Sequence, residues 1–142
     1  MSHAQTDERA AAILARTANG LLAHDEALIE LADADCADAL AGVIAERLAL
    51  RPDAVLRALE APSDESIAVM CRAAGLKMNS FSALLRMRRR CNRGTESAPA
   101  QALSWFSELS RGTAEKRLAA MAPAAGRSTG LGRRKGLNGT GR

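Results

Sequence analysis

Aromatic residues are nearly missing from this chain: of 142 residues none is Tyr, one is Trp and two are Phe. β-Branched residues are scarce as well, which leaves little from which to build a sheet. No apolar run approaches the ~18–20 residues that a membrane span requires. The N-terminus carries Asp7 and Glu8 with no basic residue ahead of an apolar stretch, unlike a signal peptide. A cytoplasmic protein without a membrane segment is the expectation. Three cysteines, at 36, 71 and 91, are odd in number and lack C-x-x-C spacing, so neither a disulfide framework nor a zinc site is indicated. They are read as reduced, mostly buried thiols that act as small hydrophobes.

Charge of one sign is also missing, region by region. From Thr17 to Glu46 there are seven carboxylates and no Lys or Arg; from Ser66 to Thr95 there are seven Lys/Arg and no carboxylate. Residues 1–65 hold 13 acidic and 5 basic side chains, residues 66–142 hold 3 and 15. Such a split implies either two halves that attract each other or a basic end that seeks a polyanion.

What is abundant is alanine, 31 residues of the 142. Alanine has the best helix propensity and the least area to bury, so the expectation is an all-α protein with a thin core. The length fits one domain. Apolar residues at Ala10, Ile13, Leu14, Ala18 and Leu21 follow helical spacing and predict a first helix from a Thr6 cap to about Ala23. Asp25 is expected to cap a short second helix, and Asp33 or Asp35 to begin a third that carries Leu40, Val43, Ile44 and Leu48. The acidity of the first half is then explained by helix starts, where unpaired N–H groups favour negative charge.

Pro52 suits the first turn of a fourth helix, which should stop before Pro62. Ser63 or Asp64 caps a fifth that Gly75 can end in a left-handed conformation. Asn79 or Ser80 opens a sixth, and Pro99 and Thr113 predict two more. An offset of 26 residues brings Ile44, Ala45, Leu48, Ala49, Leu50 and Asp53 onto Met70, Cys71, Ala74, Gly75, Leu76 and Asn79. Both stretches read as helix, tight turn, helix. The architecture expected is stacked antiparallel helical hairpins, HEAT-like or a small helical bundle, over residues 1–122. Residues 123–142 hold six Gly, five Lys/Arg and no carboxylate, and are predicted to form a disordered basic tail.

The sixth helix sorts its side chains sharply. Phe81, Leu84, Leu85, Met87 and Cys91 share one side, and Arg86, Arg89, Arg90 and Arg93 the other. Arg88 falls among the apolar residues, where its stem packs while its head reaches outward. Four guanidinium groups on one face form a candidate anion-binding stripe, to which Arg133, Arg134 and Lys135 of the tail add charge. Against this stands a bland reading, in which the face is merely solvated or is answered by the carboxylates of residues 25–38. Residues 66–90 also fit a helix-turn-helix, with Cys71, Gly75, Leu76, Phe81 and Leu84 in its packing positions and the arginine-bearing helix as reader. Ser82 is the only residue between Phe81 and Cys91 of the types that accompany arginine in reading base edges, and the related 44–59 unit carries Asp53 and Glu60, which repel phosphate.

No glycine-rich loop opens a helix, no metal-ligand spacing occurs, and no Ser or Cys stands beside a His base. Catalysis, cofactors and metals are not expected. The stretch from Ser66 to Arg88, SIAVMCRAAGLKMNSFSALLRMR, resembles the closing hairpin of a bacterial family catalogued as domain of unknown function 2336. Trp105-Phe106, Leu109 and Arg117-Leu118 look like its continuation. About half the chain carries the resemblance. It implies an all-helical fold in a short version of a family whose members are typically alphaproteobacterial, and makes Arg72 and Arg88 look like structural family positions. The function expected is non-enzymatic binding of a protein partner with an acidic surface; nucleic acid is the alternative, and self-association through opposite charges a third course.

Overall fold

The computed structural model describes residues 3–125 except 92, 94, 96 and 97. Among them it forms eight α-helices: α1 (His3–Ala18), α2 (His24–Asp33), α3 (Ala37–Leu48), α4 (Pro52–Glu60), α5 (Glu65–Ala73), α6 (Met78–Arg90), α7 (Pro99–Glu108) and α8 (Arg111–Ala125). The all-α expectation holds. The last of these helices takes in residues 123–125, which the sequence had placed in the tail; the rest of that tail lies outside the described residues.

Four of the connections end their helices in the same way. Gly20, Asp35, Ala49 and Gly75 all have positive φ, between 56° and 82°. At each, the next residue's N–H reaches back five positions: Leu21 to Arg16, Cys36 to Leu31, Leu50 to Ala45 and Leu76 to Cys71, at 2.8 to 3.0 Å. This double-bonded, left-handed stop satisfies carbonyls that the helix end would leave bare. Cys36, Leu50 and Leu76 then turn inward and are buried. The 26-residue register is therefore real at Ala49/Gly75, and Gly20 and Asp35 use the same kind of stop at other spacings.

Packing departs from a simple stack. α3 and α4 pack along each other, but α5 lies chiefly on α8, and α6 on α2 and α7. The α2–α6 pair is parallel: Asp25 meets Ser80 and Lys77, Asp33 meets Arg86, and Asp35 meets Arg90, so residue numbers rise together on both helices. The core is mostly Ala and Leu, as the composition requires, and its two phenylalanines are used on each other. Phe81 of α6 stacks on Phe106 of α7 with ring centroids 4.3 Å apart.

Three expectations are corrected by the helix limits. Asp33 and Asp35 do not open a third helix; Asp33 is the last residue of α2 and Asp35 stands in the left-handed stop after it. α2 itself starts one residue before Asp25, and it is the Glu26 carboxylate that reaches back to the Ala23 N–H at 3.3 Å. The first helix also stops at Ala18, because Gly20 closes it before the apolar spacing runs out at Leu21.

Candidate functional site

A carboxylate at a helix C-terminus faces the negative end of the helix dipole, so Asp33 and Asp35 sit where their charge is least welcome. α6 supplies the remedy. Arg86 Nη2 lies 3.9 Å from Asp33, and Arg90 contacts Asp35 at 2.9 Å while donating to the Ala32 carbonyl at 2.7 Å. Arg93, just past α6, lies 3.7 Å from Glu60 at the end of α4. Arg89 is exposed, with no carboxylate in ion-pair reach among the described residues. The four arginines singled out by the sequence thus lie along one edge, but three of them already face a carboxylate of the first half. Arg86 and Arg90 stay 56% and 41% exposed, Arg93 only 26%. Arg133, Arg134 and Lys135 lie outside the described residues.

Arg88 corrects the reading most. Its head does not reach outward: the side chain is 0% exposed. Nη1 donates to the carbonyls of Ala58 and Leu59, and Nη2 to those of Ala61 and Ser63 and to Asp64 at 3.0 Å. The carbonyls of Ala58 to Ala61 belong to the C-terminal end of α4, so a guanidinium from α6 caps a helix about thirty residues earlier in the chain. Asp64, 7% exposed, accepts the Ala98 N–H with its second oxygen and joins the start of α7 to the same knot. Only the Nε–H of Arg88 finds no acceptor.

The α6 face that a groove reader would need is narrow. Ser80, Phe81, Ala83, Leu84, Leu85, Met87 and Arg88 are all buried. What remains outside is one row, Asn79, Ser82, Arg86 and Arg89, with Arg90 at its side, and Ser82 is bonded to Arg86 at 3.0 Å. Lys77, before the helix, lies 3.8 Å from Asp25.

A second gathering of arginines escaped the sequence reading, because its members come from three elements far apart in the chain. Arg111 Nε donates to Ala73 O at 3.2 Å and Arg47 Nη1 to Ala74 O at 3.4 Å. Arg72, in the last turn of α5, donates from Nε to Leu109 O at 2.6 Å and lies over the Phe106 ring, 5.3 Å from its centroid. No spacing in the sequence announces a convergence at the end of α5.

Two of the three thiols are poor nucleophiles. Cys36 and Cys71 are buried, and burial pushes both thiols above their ordinary range, with Arg9 and Arg88 respectively opposing it. Among the described residues no group of three or more His, Cys, Asp or Glu could hold a metal ion, and no helix is long and apolar enough to cross a membrane.

Comparison with known proteins gives one finding. Residues 1–119 match the family described as "Uncharacterised protein conserved in bacteria (DUF2336)", well beyond the stretch on which the resemblance first rested. No curated protein and no solved structure matches the chain. With most of its length covered, including the Arg88–Asp64 knot, the chain belongs to this bacterial DUF2336 family.

Proposed function

We propose that the protein is a non-enzymatic helical interaction module that binds an acidic macromolecular partner in the cytoplasm. The observation that carries this reading is the row on α6, where Arg86, Arg89 and Arg90 stand exposed side by side. Arg89 offers an unanswered guanidinium. The ion pairs of Arg86 and Arg90 are open to water and therefore worth at most about 1 kcal/mol each, so carboxylates on a partner can replace Asp33 and Asp35 at little cost. Arg93 is more covered and is assigned to the fold. The tail cations Arg133, Arg134 and Lys135 would add long-range attraction that fades with salt.

A helix-turn-helix reading of residues 66–90 has less behind it. Its reading helix would have to present several side chains to base edges, while most of α6 is core and the exposed row runs beside two aspartates. Binding to a labelled poly-glutamate peptide and to a short duplex DNA, each titrated against salt, separates the readings. The expected outcome is peptide binding that weakens with salt and falls when Arg86, Arg89 and Arg90 are all changed to Gln, with melting little altered. DNA binding whose logarithmic salt slope is about −0.9 per contacted phosphate would favour the alternative instead.

A further inference from the structure

Two guanidinium groups, those of Arg47 and Arg111, meet at the turn that ends α5, and Arg72 stands in the last turn of that helix. Arg111 and Arg47 each donate to a backbone carbonyl there, of Ala73 and Ala74, and Arg72 is tied to Leu109, two residues before Arg111. Gly75, exposed and with φ +82°, closes the turn; Arg111 Nη1 lies 3.3 Å from where a Cβ would stand on it. Arg47 and Arg111 are each held by one N–H on the backbone and make no further hydrogen bond among the described residues, which leaves donors of each fork to offer a ligand. Holding the heads in advance removes much of the ordering cost that a flexible arginine carries into binding.

The charge around this turn is not balanced as it is on α6. Glu115, one turn along α8, is the carboxylate within reach, 3.8 Å from Arg111, with both side chains exposed. Glu46 and Glu108, neighbours of the cluster in sequence, are exposed and make no ion pair among the described residues. Like charges brought to one turn repel one another, and the exposed Glu115 offsets them only in part.

We infer that the α5 turn is an anion-docking point, at which Arg47, Arg72 and Arg111 take carboxylate side chains from an acidic peptide segment of a partner protein. The inference rests on the proposal that the protein binds an acidic macromolecule, and adds where and what kind. A peptide fits better than a nucleic acid because the cluster is compact. A polynucleotide is held by a track of phosphate contacts, whereas the heads of Arg47 and Arg111 bond to two adjacent carbonyls, and the exposed arginine row on α6 is a separate set. That row also runs beside Asp33 and Asp35, which repel a phosphodiester chain.

The test is fluorescence anisotropy of a labelled poly-glutamate peptide against the full chain at low salt. In R47Q/R111Q the amide at position 111 reaches as far as the Arg111 Nε and can still donate to the Ala73 carbonyl, and circular dichroism checks that helicity is kept. The expected result is a loss of affinity of about tenfold or more, as for removal of charge-assisted hydrogen bonds. Glu115→Gln, which takes away the local competitor without touching the cluster, should tighten binding. Wild-type affinity in folded R47Q/R111Q, weaker binding in Glu115→Gln, or tighter binding of a short duplex DNA than of the peptide would each overturn the inference. If only the R86Q/R89Q/R90Q chain loses affinity, the module reading survives and the docking point does not. If the unaltered chain ignores the peptide at low salt, both fall.

Discussion

Arg88 is the residue on which the fold leans hardest. A guanidinium with no exposure needs acceptors for its N–H groups, and four backbone carbonyls and Asp64 provide them. Removing it leaves those carbonyls bare and Asp64 buried without its counter-charge. Arg88→Met should therefore cost about 3–5 kcal/mol in urea denaturation, a large part of the stability of a thin-cored domain. Arg88→Lys should recover little, since an ammonium lacks the planar fork that reaches both sides. The sequence marked this arginine by its place among apolar neighbours, Leu84, Leu85 and Met87, but not by its role. Its acceptors are main-chain atoms about thirty residues away, which no side-chain pattern records. Cysteine reading fared better, as thiols without metal spacing are inert where they are buried. Cys71, buried and with its thiolate disfavoured, should resist Ellman's reagent in the native protein and react only as the chain unfolds; the partly exposed Cys91 should react first.

Helix stops rather than helix starts organise the elements. Ala49 holds a left-handed backbone at φ 56° that a Cβ makes costly, by about 1–2 kcal/mol, whereas the equivalent position 75 is glycine. Ala49→Gly should raise stability by about 0.5–1 kcal/mol, the relief of strain exceeding the added freedom of the unfolded chain, and show it as a higher melting temperature. Gly75→Ala should do the reverse and more, because the new methyl would press on the Arg111 head at 3.3 Å. Proline and glycine punctuation made α4, α5 and α7 legible: Pro52, Gly75 and Pro99 stand where the sequence expected them to act. Acidic residues misled the reading at α3, since a carboxylate favours a helix start only when nothing across from it offers a better partner. Arg86 and Arg90 do so for Asp33 and Asp35. Arg86→Gln should cost less than about 1 kcal/mol, and the deficit should shrink in high salt.

For the molecule as a whole, the uneven charge along the chain is in large part internal. Arg86, Arg88, Arg90, Arg93 and Lys77 all meet carboxylates of the first 65 residues, and Arg117 meets Glu65. Of the two outcomes the split allowed, mutual attraction of the halves accounts for six of the ten described cations of the second half. Because α2 finds its main partner in α6 and α4 its cap in Arg88, neither half holds a complete set of contacts. A fragment of residues 1–62 should show little helicity alone, as should 63–142, and mixing them should restore helical circular dichroism in a way that high salt weakens. Helical fragments that form independently would count against this closure.

The parallel seating of α2 on α6 also bears on synthesis. At about 5–20 residues per second, the ribosome releases α6 roughly 3–11 s after α2. Throughout that wait the buried residues of α2, Ala27, Leu28 and Leu31 among them, lack the helix that packs most closely on α2. The clustered aspartates and glutamates beside them then act as a solubilising guard, repelling other nascent chains of the same kind until the arginines arrive to claim them.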